Sequence, residues 1–209
     1  MSQLFDPHDP SNPAYYGPSQ TAVLLLDFHN LMVEKLGGPA AHAALDTAAR
    51  LRIWARSSGI VVIHALIDPD ASPPPTAKGA ERLARIVATM KDRDGEETSA
   101  LLQNTDSNDH TFSRTPGYVS ALQSPGLMDF LLRRGIKSLI LAGLSTSGCV
   151  LRTAVPATEA DFIVTIVSDA CADPVDGNHD FLIQKILPSR AYVLTLSDLL
   201  NEYGARDNA

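Results

Sequence analysis

The chain has 209 residues, 44% apolar, 6% aromatic and 20% charged, with a formal net charge of −7. That length suits one domain whose core needs no metal or disulfide staple, and the acidic balance offers no electrostatic footprint for nucleic acid or an anionic membrane surface. Its two cysteines, Cys149 and Cys171, form no CxxC or Cys/His cluster, which excludes a disulfide scaffold and a structural zinc module.

Residues 1–19 are rich in Pro, Asp and Asn and lack the basic-then-apolar order of a signal peptide. They read as an N-terminal extension to a single domain over 20–205, in a cytoplasmic setting. TAVLLLD, residues 21–27, is a short apolar run ending in a carboxylate, the pattern of a strand buried on both faces. A helix is predicted over 39–58, opened by Pro39 and stopped by Gly59, then a strand over 60–66. Residues 67–108 are the least regular stretch, with a Pro cluster and one predicted helix over 80–90. So long an excursion between strands points to cover over a site or an interface. A third short strand is expected over 110–113, a helix over 125–135 and a strand over 137–142. The next helix, 146–160, contains Pro156, which is expected to bend or interrupt it. A strand over 162–168, a helix over 178–187, a strand over 191–194 and a helix over 197–203 with Ser197 as N-cap complete the pattern. Six strands alternating with helices predict a three-layer α/β/α fold around a six-stranded, mainly parallel sheet.

In such sheets ligands bind beyond the carboxyl ends of the strands. Three of these ends carry polar chemistry: Asp27 after the first strand, Arg114 after the third, and AGLSTSGCVLRT after the fourth, which sets Cys149 near a helix start. A thiol there is expected to have a lowered pKa, and amides of the same turn suit an oxyanion. The alternative for Cys149 is a small residue packing the helix on the sheet. Asp27 suits a general base toward the thiol and later a general acid. Cys171 reads as packing, and His64, inside an apolar strand, as a satisfied core or supporting histidine. His29 follows Asp27 in a loop where substrate would pass. DFHN has no further ligand at a supporting spacing, so no metal is expected. No GxGxxG follows the first strand and no GxxxxGK[ST] occurs, so no nucleotide cofactor is expected.

TAVLLLDFHN, then SALQSPGLMDFLLRRGIKSLILAGLSTSGCVLRTAVPATEADFIVTIVSDACADP, then His179 together resemble the isochorismatase-like cysteine hydrolases. That superfamily includes isochorismatases, nicotinamidases and N-carbamoylsarcosine amidohydrolases, and the resemblance spans residues 20–200. It implies a six-stranded, mostly parallel sheet, with Asp27 and Cys149 as base and nucleophile. Arg114 lies nearest to where the family usually carries Lys. Since Arg does not give up its proton, its expected role is a fixed positive charge or a clamp on a substrate carboxylate; the bland alternative is a loop ion pair. The resemblance also implies a cis peptide bond at Leu144–Ser145, in a turn with Gly148, that aims the amides of Ser145 and Cys149 at a substrate oxygen. His29, where the family often has Gln, and Tyr118 are expected along the substrate pocket. Nicotinamidases hold a metal through an Asp and two His after the second strand; HALIDPDASPPP lacks that set. The expected activity is hydrolysis of a small amide-type substrate through a covalent Cys149 intermediate. The alternatives are vinyl-ether hydrolysis of the isochorismatase type and a catalytically weak binding or redox-responsive member. A homo-oligomer, dimer or larger, is expected, with no nucleic-acid or membrane partner.

Overall fold

The computed structural model describes residues 5–102 and 109–206; the 103–108 part of the excursion lies outside them. The apolar runs form β1 (Thr21–Leu26), β2 (Val61–Ile67), β3 (His110–Arg114), β4 (Ser138–Leu144), β5 (Ile163–Ala172) and β6 (Tyr192–Leu194). They make one six-stranded sheet in the order β3-β2-β1-β4-β5-β6, and every pairing is parallel. The helices are α1 (Ala41–Ser57), α2 (Ala80–Thr89), α3 (Ser99–Leu102), α4 (Leu127–Arg133), α5 (Leu151–Glu159), α6 (Asn178–Phe181) and α7 (Leu196–Arg206).

β1 and β4 are buried along their whole length, which is why they read as unbroken apolar runs. Successive side chains of β1 serve opposite faces. Val23 and Leu25 pack with Ala44, Ala48 and Leu51 of α1 and Leu199 of α7. Leu24 and Leu26 pack with Leu127 and Leu131 of α4 and Ala154 of α5. Each such leucine contributes about 1.5–3 kcal/mol by leaving water. α1 stops where Gly59 turns left-handed (φ 72°). There Gly59 N–H bonds Arg56 O at 3.1 Å and Ile60 N–H bonds Ala55 O at 2.8 Å, the double cap that a residue without Cβ permits.

Four expectations change. The last helix begins at Leu196, and its cap is Thr195, not Ser197: Thr195 Oγ1 accepts Asp198 N–H at 3.2 Å. α5 runs through Pro156 to Glu159; the chain leaves helical geometry earlier, at Gly148. β5 continues to Ala172, past a register shift that takes pairing from Leu141–Ile166 to Gly143–Cys171. The intervening bulge turns Asp169 outward, where its Oδ1 accepts Leu196 N–H at 2.8 Å, so a carboxylate inside the strand had hidden its continuation. The helix expected over 178–187 is a short α6 followed by a wide turn and a 3-10 turn.

The described part of the N-terminal stretch is packed rather than loose. Phe5 is buried against Tyr192 and Tyr203, ring centroids 5.6 and 5.8 Å away. Among the described residues no helix is long and apolar enough to cross a membrane. Strand order reverses direction between β1 and β4, and this is where a crevice opens at the carboxyl edge of such a sheet.

Candidate active site

At that crevice Leu26 pairs with Gly143. A Cβ on Gly143 would stand 2.6 Å from Leu26 Cβ and 3.3 Å from Cys149 Sγ, so the bare backbone is what lets the sulfur sit over the β1–β4 seam. The chain then passes a cis bond between Leu144 and Ser145, at the position the resemblance implied. It enters a wide helical turn, Thr146–Val150, that carries Cys149 into α5.

Asp27 takes a left-handed conformation (φ 58°) directly after β1, uncommon outside glycine but accessible to Asp. Its N–H bonds Ala65 O at 3.0 Å. Arg114, the last residue of β3, reaches past the end of β2 to meet it. Nη1 donates to Asp27 Oδ1 at 2.9 Å and Nη2 to Oδ2 at 2.6 Å, while Nε donates to Tyr118 O at 2.8 Å. Arg114 is 1% and Asp27 4% exposed. The fork that would grip a substrate carboxylate is therefore spent on Asp27, and the geometry favours the fixed-charge role over the clamp. Nor is this a loop ion pair in solvent; removing one partner of such a buried pair leaves an uncompensated charge, at about 3–5 kcal/mol.

Cys149 is buried beside them. Its Sγ lies 3.6 Å from Ser145 O and 3.9 Å from Leu26 O. Burial first, then the negative charge of Asp27, push the thiol well above its ordinary value, with Arg114 pulling the other way. This overturns the expectation of a lowered thiol pKa. Three of the turn's N–H groups are committed: Ser147 N–H to Asp173 Oδ2 at 2.7 Å, and Gly148 and Val150 N–H to Ser145 O at 3.2 and 3.3 Å. Carbonyl oxygens face the sulfur instead, and these stabilise S–H rather than S⁻.

Asp173 escaped the sequence reading. Besides Ser147, its carboxylate accepts Val175 N–H at 3.1 Å and Asn178 Nδ2 at 3.3 Å. Burial pushes its carboxyl up, but these hydrogen bonds, Ser147's first, outweigh it and hold the group below the usual carboxylate range. Thr146 Oγ1 is hydrogen-bonded to His179 Nδ1 at 2.9 Å. The nucleophile turn is thus pinned from the segment after β5, and the DACAD string with its following His was the available signal. His29 is not a pocket residue. Its Nδ1–H donates to Gly95 O at 2.7 Å and its Nε2 accepts Ile67 N–H at 3.0 Å, so both nitrogens are engaged by backbone. The Tyr118 ring is half exposed and lines an apolar groove with Leu151, Val155 and Pro156; only its carbonyl reaches the Asp27–Arg114 pair. Cys171 packs in the core. Among the described residues no three His, Cys, Asp or Glu side chains gather as a metal site requires.

A parallel sheet in this order brings carboxylate, guanidinium and buried thiol together at its switch point. Residues 21–198 match the model of the isochorismatase domain, and the chain belongs to that family. It is 28% identical over 185 residues to maleamate amidohydrolase of Pseudomonas putida, covering 87% of this chain and 85% of that one. The fold is shared with a cysteine hydrolase from Pseudomonas syringae, at TM-score 0.75 and 19% identity over 99% of this chain and 100% of that one. It is shared also with N-carbamoylsarcosine amidase from Thermoplasma acidophilum, at TM-score 0.67 and 22% identity over 84% and 96%.

Proposed function

We propose that this hydrolase cleaves the C–N bond of a small amide-type substrate through a thioester on Cys149. The observation that carries the reading is a buried thiol, 2% exposed, beside a carboxylate that Arg114 holds by both oxygens. Asp27 takes the thiol proton as Sγ attacks the carbonyl carbon. The oxyanion is assigned to the amides of Ser145 and Cys149, as the family resemblance implies; those of Ser147, Gly148 and Val150 are bonded within the protein. Asp27 returns the proton to the leaving nitrogen, and ammonia or an amine departs. Water, deprotonated by Asp27, then attacks the thioester; the acid is released as the C–S bond breaks, and Asp27 returns the proton to the departing Cys149 sulfur. Arg114 transfers no proton; it keeps Asp27 aimed and balances its charge.

Similarity to a maleamate amidohydrolase supports an amide substrate. The redox-responsive alternative rests on the missing Lys; Arg114 supplies a positive charge beside Asp27, and a buried thiol pushed upward is a poor target for oxidation. Release of ammonia or amine from maleamate, N-carbamoylsarcosine and other small amides tests the proposal, with isochorismate in parallel. Turnover of at least one amide is expected, falling by about a thousandfold or more in Cys149→Ala. Full turnover in Cys149→Ala would remove the covalent mechanism. Activity on isochorismate alone would replace amide cleavage with vinyl-ether hydrolysis.

A further inference from the structure

Part of the excursion between β2 and β3 is hydrogen-bonded to the three residues that follow Asp27. Thr98 N–H donates to Phe28 O at 3.0 Å and Asn30 N–H to Glu96 O at 2.9 Å. His29 Nδ1–H donates to Gly95 O at 2.7 Å, and Asn30 Nδ2 to Arg93 O at 2.7 Å. His29 and Glu97 form an antiparallel bridge. Residues 93–98, the end of a 3-10 turn followed by an isolated bridge at Glu97, therefore pack along the loop that carries Asp27.

That segment is itself anchored by one buried side chain. Glu97, 8% exposed, places Oε1 2.6 Å from Nδ1 of His64, which is 2% exposed. His64 Nε2 faces Asp109 Oδ2 at 3.5 Å. Asp109 is gripped by Arg52, through Nε at 2.7 Å and Nη2 at 2.6 Å, and approached by Arg56 Nε at 3.7 Å. A buried carboxylate is costly wherever it lacks its partner, so Glu97 has one favourable position, set by β2 and α1. None of these groups belongs to the Asp27–Arg114 pair.

We propose that Glu97 and His64 are positioning residues for Asp27. The pair fixes residues 93–98, these fix the backbone of Phe28, His29 and Asn30, and that loop holds Asp27 in its left-handed conformation beside Cys149. The inference rests on the amidase reading in that it concerns the base of that reaction, but its test needs no turnover. Asp27's charge raises the Cys149 thiol, so the pH profile of thiol alkylation reports whether Asp27 is in place.

The experiment is alkylation of the full-length protein by iodoacetamide across pH, with peptide mass analysis to separate Cys149 from Cys171. Asp27→Asn is expected to move the Cys149 midpoint down by about one pH unit or more, because a neighbouring anion has been removed. Glu97→Ala is expected to move it in the same direction as Asp27 withdraws. Glu97→Gln, which still accepts a hydrogen bond from His64, is expected to keep the wild-type profile. In the Asp27→Asn background, Glu97→Ala adds nothing further. A wild-type profile in Glu97→Ala, or a shift fully additive with Asp27→Asn, overturns the proposal. Should Glu97→Ala fail to fold, Glu97→Asp, one methylene short of His64, takes its place: a partial downward shift is expected and an unshifted midpoint overturns it. Absence of amide turnover would sink the amidase reading and leave these profiles standing; unshifted profiles would do the reverse.

Discussion

Asp27 and Arg114 hold each other through two hydrogen bonds, and Nε of the same arginine is tied to Tyr118 O. Lysine supplies the charge of that arrangement but not its fork. Arg114→Ala should push the Cys149 thiol still higher, since the one group pulling it down is gone, and iodoacetamide should then label Cys149 more slowly at pH 8 than in wild type. Arg114→Lys should fall between the two. Faster labelling in Arg114→Ala would remove Arg114 from the electrostatics of the thiol. Asp27 and Cys149 were legible in the sequence because each ends or follows an apolar run, and the sheet puts both at one edge. Arg114 is expected at the same edge, beside both; that its fork closes on Asp27 by both oxygens was not legible, because it depends on a side chain crossing the end of β2. The thiol differs from expectation for a related reason: strand–turn–helix places Cys149 near N–H groups, but Ser147 N–H is taken by Asp173 in another segment and those of Gly148 and Val150 by Ser145 O.

At the scale of elements, the alternation of strands and helices was readable because the period of the apolar pattern changes with each element. The failures fell where a polar residue serves a neighbour. Asp169 interrupts β5 to cap Leu196, and Thr195, not Ser197, closes the start of α7. The spacing Thr195-x-x-Asp198 was the signal, and Thr195 Oγ1 also donates to Asp198 Oδ2 at 2.7 Å. Thr195→Ala should therefore cost about 1 kcal/mol by urea unfolding, while Ser197→Ala should stay within about 0.5 kcal/mol of wild type. The reverse order would restore Ser197 as the cap.

The whole molecule buries two thiols in its core, where burial favours the protonated form. Burial, aided by Asp169 and opposed by a backbone hydrogen bond from Gly143, pushes Cys171 up to about 12. An unfolded chain gives up such a proton near pH 8.5. Above that pH the unfolded state binds fewer protons than the native state, so stability falls as pH rises. The contribution of Cys171 is full below about 8.5 and is lost progressively as pH climbs toward about 12. Melting followed by circular dichroism from pH 8 upward should show this decline, and Cys171→Ala should flatten it while lowering stability at neutral pH by about 1 kcal/mol. An equal alkaline slope in both proteins would refute the assignment.

Before reaction the buried cluster holds one cation and one anion beside a thiol whose proton burial favours keeping. Handing the thiol proton to Asp27 leaves one cation, one neutral acid and one thiolate, and the sum is the same. Arg114 thus makes nucleophile formation a relocation of charge inside one sealed cluster, with no ion drawn from or expelled to the surroundings. A medium of low permittivity resists creating charge far more than shifting it over a short path. For an uncharged amide, then, kcat/KM should stay nearly level between dilute buffer and molar salt, where mobile ions screen only what lies outside the cluster. Once Arg114 is replaced by Ala, the same step proceeds beside an unbalanced carboxylate, and the rate should begin to respond to salt.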